Sequence, residues 1–90
     1  MDFEWDEAKR IENIEKHGFD FVSALRLFSG DHTRKRAHDG WGGEERWMAT
    51  GIIHGLYATA IYTLRGEIIR MISLRRARDE ERRHHQEVFG

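Results

Sequence analysis

Three β-rich runs separated by two-residue links constrain this chain more than any other feature. Arg46 to Ile53 alternates apolar and polar residues, and His54-Gly55 interrupts it. Leu56 to Leu64 carries Tyr57, Thr59, Ile61, Tyr62 and Thr63, and Arg65-Gly66 interrupts again. Glu67 to Leu74 is then centred on Ile68, Ile69, Met71 and Ile72. β-Branched and aromatic residues favour a pleated surface, and a two-residue link with Gly closes a hairpin. The three runs therefore predict an antiparallel meander.

Helical signals flank the meander. Phe3-Glu4-Trp5 suits a short extended start. Asp6 reads as an N-cap, Glu7 stands where a helix dipole favours an acid, and Ala8, Ile11 and Ile14 form an apolar stripe. Gly18 reads as the stop, so the first helix is expected from Asp6 to His17. Asp20 can cap a second helix with a face of Phe21, Val22, Leu25 and Phe28, ended by Gly30. Two short helices in tandem predict an αα-hairpin. His32 to Ala37 suits a basic edge strand, and Asp39 to Gly43 is a turn cluster. Arg76 to Val88 has no Gly or Pro and pairs Asp79–Arg83, Glu80–His84 and Glu81–His85 at i,i+4, which predicts a last helix. That helix has almost no apolar stripe, so weak docking is expected. Helices, then strands, then a helix make an α+β fold.

Length and composition narrow the function. Ninety residues suffice for one domain, expected to span 1–90. The absence of Cys excludes disulfides, thiolate metal sites and a cysteine nucleophile, and makes a cytoplasmic address the default. No apolar run is long enough to span a membrane. The net charge of −1 hides a division. Residues 1–20 hold three basic and seven acidic side chains, whereas the rest hold 12 basic and 9 acidic, and 11 of those 12 cations are Arg. Arg forks onto phosphate bidentately, so the second part suits an anionic partner.

Most catalytic motifs are missing. His84 and His85 are adjacent and would point about 100° apart on a helix, and no HExxH is present, so no metal is expected. Gly40, Gly42 and Gly43 do not form a nucleotide-binding fingerprint, so no cofactor is expected. Ser23, Ser29 and Ser73 lie outside any GxSxG, and Ser73 reads equally as a small strand residue or a polar contact. The run from Arg70 through Ser73, Arg75, Arg76 and Arg78 stands out, because a cationic strand feeds an Arg-bearing helix. It suits phosphate binding, but composition alone favours a solvated surface balanced by Asp79, Glu80 and Glu81, since charge runs are common on helix surfaces.

The ordered residues resemble a known family. Phe3-Glu4-Trp5-Asp6, Lys9, Asn13 and Lys16-His17-Gly18 are similar to the opening of BrnT toxins. Glu44-Glu45-Arg46 with Gly51, Tyr62-Thr63 with Arg65-Gly66, Ile69 to Ser73 with Arg75 and Ala77, and Glu81-Arg82-Arg83 resemble its later motifs. The resemblance implies a RelE-like ribonuclease of a type II toxin–antitoxin module that arrests translation. It also implies a BrnA-like antitoxin whose DNA-binding domain lets the complex repress its own promoter. The chain departs from the family pattern at His85, where Tyr is common, and at Leu74, where Ala is common.

RNA carries its own nucleophile, the 2′-hydroxyl, so cleavage needs orientation, proton transfer and charge stabilisation rather than a metal. On this reading Arg70, Arg75 and Arg76 hold the phosphate, with Arg46 as a further cation. His85 transfers protons. Tyr62 stacks a base or positions a proton, and Arg65, Ser73 and Arg82 contact substrate. His17 is expected to cap or pack the first helix. The alternative is a non-catalytic module of the same fold that only holds a protein or nucleic acid.

Overall fold

The structure, a computed structural model, describes residues 1–37 and 44–90. The expected turn cluster Asp39 to Gly43, and His38, lie outside the described residues. Strands β1 (Asp2–Glu4), β2 (Thr33–Arg36), β3 (Trp47–Ile53), β4 (Leu56–Arg65) and β5 (Ile68–Arg76) form one sheet in the order β1-β5-β4-β3-β2. Helix α1 (Glu7–His17) and helix α2 (Ala24–Ser29), the latter entered through a 3-10 turn Phe21–Ser23, separate β1 from β2. Helix α3 (Asp79–Phe89) follows β5.

The meander forms as its alternation predicts. β3, β4 and β5 pair antiparallel in sequence. His54 and Gly55 take φ of 49° and 79°, the pair of positive values that a two-residue hairpin matching strand twist demands. The second link is shifted by one residue to Gly66-Glu67, because Arg65 continues β4 as the partner of Ile68. β2 is the edge strand that its basic residues suggest. The sheet is not purely antiparallel, however. The chain starts with a strand, and β1 pairs parallel with β5, placing Glu4 opposite Arg70.

The expected αα-hairpin is replaced by two helices docked on different strands. α2 covers one sheet face, where Phe21, Ala24, Leu27 and Phe28 pack on Ala49, Ala60, Tyr62 and Met71. Gly51 lets this helix approach, since a Cβ there would meet Leu27 Cγ at 3.0 Å. α1 instead docks on the outer edge of β5, and it does so through a polar side chain. Asn13 donates from Nδ2 to the carbonyls of Phe19 (2.9 Å) and Leu74 (2.8 Å), and its Oδ1 accepts from Leu74 N at 3.0 Å. One amide thus replaces a strand where β1 has ended. Asp6 caps α1 as predicted, accepting from Ala8 N and Lys9 N, and Gly18 ends it. Its stripe is the reverse of the expected one. Asn13 is buried, while Ile11 and Ile14 are exposed. On the second helix Val22 and Leu25 are likewise exposed, and Ala24 and Leu27 are buried instead.

Candidate functional site

Cross-strand register divides the sheet residues between two faces. One face is the core under α2 and carries Trp47, Ala49, Ala58, Ala60, Tyr62, Met71 and Leu74. The opposite face carries Thr50, Thr59 and Arg75 in one row, Met48, Ile61 and Ser73 in the next, and Thr63 and Arg70 in a third. α3 lies over the first of these rows and leaves the other two uncovered by a helix.

Charge and hydrogen bonding, rather than apolar burial, seat α3. Arg75 grips Glu81 bidentately at 2.8 and 3.0 Å. Glu81 Oε1 also accepts from Thr59 Oγ1 at 2.9 Å and from Arg78 N at 2.8 Å, which closes the first turn of the helix. Thr50 and Thr59 hydroxyls are 2.8 Å apart behind it. Burial pushes the Glu81 carboxyl up, but the bonds from Arg75, Arg78 N and Thr59, with the Arg75 charge, outweigh it and hold the group down at about 2. The Glu81 side chain is 3% exposed and that of Arg75 13%. Arg75 is therefore occupied by an internal carboxylate and is not presented to an external phosphate.

His85 is also part of the seat. It is 4% exposed. Its Nε2 lies 3.0 Å from the carbonyl of Asp31, and its ring packs against Tyr57 and Phe89 at 5.4 and 4.7 Å. Buried in this way, it is not positioned to exchange a proton with a bound substrate. His84, one residue earlier, is exposed and lines a pocket between α3 and the β2–β3 edge with Thr33, Lys35, Met48, Thr50 and Glu80. Tyr62 is likewise corrected. It is 1% exposed with its ring edge-on to Phe28 at 5.1 Å, so no base can stack on it. Burial pushes its phenol up, more than the neighbouring Arg34 lowers it.

The remaining expected residues separate into groups. Arg70 is half-buried on the open face, opposite Thr63, and bonds Glu4 Oε2 at 2.6 Å. Arg65 continues that face and meets Glu44 at 3.1 Å and Glu4 at 3.7 Å. The carboxylate holds the Arg65 guanidinium charged, and the guanidinium in turn lowers Glu44. Arg46 precedes β3, accepts from Ala37 N at 2.8 Å, and by alternation with Trp47 falls on the open face in the row of Thr63 and Arg70. Among the described residues it makes no ion pair. Ser73 stands in the middle row, 3.4 Å from Asn13 Oδ1. Arg76 ends β5 rather than starting the helix, and its pairing with Ala58 places it on the α2 side. Arg82 is on the exposed surface of α3, 3.6 Å from Asp79.

The open face thus joins Arg46, Arg65 and Arg70 with Lys35 at its edge, the partly exposed Met48, Ile61 and Ile68, and the Ser73 hydroxyl, with Thr63 buried between Arg46 and Arg70. Thr63 Oγ1 is buried and has no hydrogen-bond partner among the described residues. Cations around a flat, partly apolar surface suit a polyanion with planar bases. Lys35, Met48, Ile61, Thr63 and His84 were not assigned to the site from the sequence. The alternation on β4 does place Ile61, Thr63 and Arg65 together, yet it does not tell which face of the strand is open.

A small α+β sheet with one face under a helix and arginines on the half-open other face has the charge to meet a polyanion. No group of three His, Cys, Asp or Glu side chains among the described residues is placed to hold a metal. The family model of the BrnT ribonuclease toxin of type II toxin–antitoxin systems matches residues 5–81, and the chain belongs to this family. Membership makes RNA the substrate class and an antitoxin the partner. The search of curated proteins returns no match. No described helix is long and apolar enough to cross a membrane.

Proposed function

We propose that the protein is an endoribonuclease that holds RNA across the open half of its sheet and cuts it by metal-independent acid–base chemistry. The row Arg46–Thr63–Arg70 carries this reading. Arg46 and Arg70 flank a position for the scissile phosphate, and their fork-shaped donors stabilise the two extra charges of a phosphorane. Glu4 fixes the Arg70 guanidinium at 2.6 Å, so its orientation is set before substrate arrives. Lys35 and Arg65 hold flanking phosphates, and Met48 and Ile61 give a base a surface to rest on. Arg75, Glu81 and His85 position α3, and α3 in turn presents His84 at the rim, where it moves a proton to or from the reacting oxygens. A BrnA-like antitoxin is the partner this reading assigns, with promoter DNA contacted only through it, in the cytoplasm.

The test is cleavage of a defined RNA in buffer with EDTA. Wild-type protein is expected to remain active. Arg46→Ala and Arg70→Ala are each expected to lose at least about ten-fold in rate, or about 1.4 kcal/mol. Arg76→Ala, on the α2 side, is expected to cut normally. Complete loss with chelator, restored by a divalent ion, overturns the metal-independent step. Undiminished cleavage by both Arg46→Ala and Arg70→Ala overturns the site.

A further inference from the structure

Helix α1 carries a second set of cations that the sheet site does not use. Because α1 is pinned to β5 by the Asn13 amide and not by an apolar stripe, a groove remains between helix and strand. It is lined by Lys9, Glu12, Lys16 and His17 from the helix and by Ile72 and Ser73 from the strand, with Asn13 at its floor. Lys9 and Lys16 are seven residues apart, about 10 Å along one side of the helix. Both are exposed, and neither makes an ion pair among the described residues. The two lysines against Glu12 leave the groove one positive charge, His17 aside.

β5 shapes the other wall. Its pairing with β4 slips between Ile61 and Tyr62, which oppose Ser73 and Met71, so Ile72 is the extra residue of a bulge. The bulge turns Ile72 into the groove, where it offers an apolar surface beside the lysines. Ser73 belongs to two sites at once. It stands in the open-face row with Ile61 and Met48, and it also lines the groove. The groove is therefore continuous with the open face.

We propose that the α1–β5 groove is a phosphate subsite for single-stranded RNA, holding the strand through Lys9, Lys16, His17 and the Ser73 hydroxyl where it leaves the sheet. This rests on the reading of the open face as the RNA site. Phosphate contacts of this kind fix register and orientation and show themselves in the salt dependence of binding.

The experiment measures binding of a fluorescent, uncleavable 2′-O-methyl 12-mer to the full chain across a salt series. Each phosphate contact on a single strand contributes about 0.7 to the slope of log affinity against log salt. Lys9→Ala/Lys16→Ala is expected to flatten the slope by about 1.4 and to weaken binding about 25-fold at roughly 0.1 M salt. Arg26→Ala/Arg83→Ala removes the same charge elsewhere and is expected to keep the wild-type slope. Arg46→Ala/Arg70→Ala reports separately on the open face. A wild-type slope for the lysine variant, with a flattened slope for Arg46→Ala/Arg70→Ala, overturns the groove alone. The opposite pattern keeps the groove as an RNA contact and overturns the open-face reading. An equal loss in Arg26→Ala/Arg83→Ala shows a net-charge effect and overturns the groove. An unchanged RNA slope with loss of antitoxin binding assigns the groove to an acidic protein segment and also overturns the proposal.

Discussion

Replacing Glu81 with Gln tests whether a buried ion pair holds α3 on the sheet. The substitution keeps the shape of the side chain and removes its charge. Arg75, 13% exposed, is then left as a buried cation facing a neutral amide. Breaking one side of a buried pair costs about 3–5 kcal/mol, because the remaining charge has lost both water and partner. Linkage gives an independent figure. The carboxyl sits at about 2 in the folded protein against an ordinary 4.5. At about 1.4 kcal/mol per unit this corresponds to about 3 kcal/mol. For a domain of this size that lowers Tm by roughly 12–24 °C. The pH dependence has a definite sign. A depressed carboxyl contributes stability that is full above its unfolded value near 4.5 and is lost as pH falls through the folded value near 2. Urea unfolding of wild type and Glu81→Gln is therefore expected to differ by about 3 kcal/mol at pH 7 and to converge by about pH 2. Amide exchange in α3 is expected to accelerate in the variant while β4 and β5 stay protected. A gap below about 1 kcal/mol at pH 7, or one that stays constant down to pH 2, would falsify the claim that this pair seats the helix.

The two adjacent histidines are expected to behave differently. His84→Ala lowers kcat with little change in Tm, whereas His85→Ala lowers Tm by unpacking Tyr57 and Phe89; equal effects on both measurements sink the division of roles. Asn13→Ala removes three bonds to buried backbone groups and is expected to cost about 2–4 kcal/mol by chemical unfolding. A loss under about 0.5 kcal/mol would mean that water replaces the amide at the β5 edge.

Features encoded by neighbours in sequence were legible, and features encoded by docking were not. The meander could be read because alternation and the His54-Gly55 link act over a few residues, and the Asp6 and Asp20 caps could be read for the same reason. Ile11 and Ile14 misled because an apolar stripe normally faces the core, yet α1 docks by a single amide on a strand edge. Arg75 and Glu81 looked like members of a solvated charge run, since nothing local shows that a strand end and a helix start enclose them together with Thr59.

The same encounter decides the candidate site. Once Glu81 faces the sheet, its i+4 neighbour His85 must follow it inward, and His84 is turned to the rim. A family-like position thereby becomes a packing residue and the residue beside it becomes the exposed one. On β4 the core side is Ala58, Ala60 and Tyr62, while the other side is Thr59, Ile61 and Thr63. Small residues on the core side let α2 approach closely, whereas on the other side Thr59 bonds Glu81 under α3, Thr63 is buried and Ile61 is partly exposed. Neither side is distinctly polar, so composition alone cannot separate them. That ambiguity follows from a strand that packs a helix on each side, α2 against Ala60 and Tyr62 and α3 against Thr59.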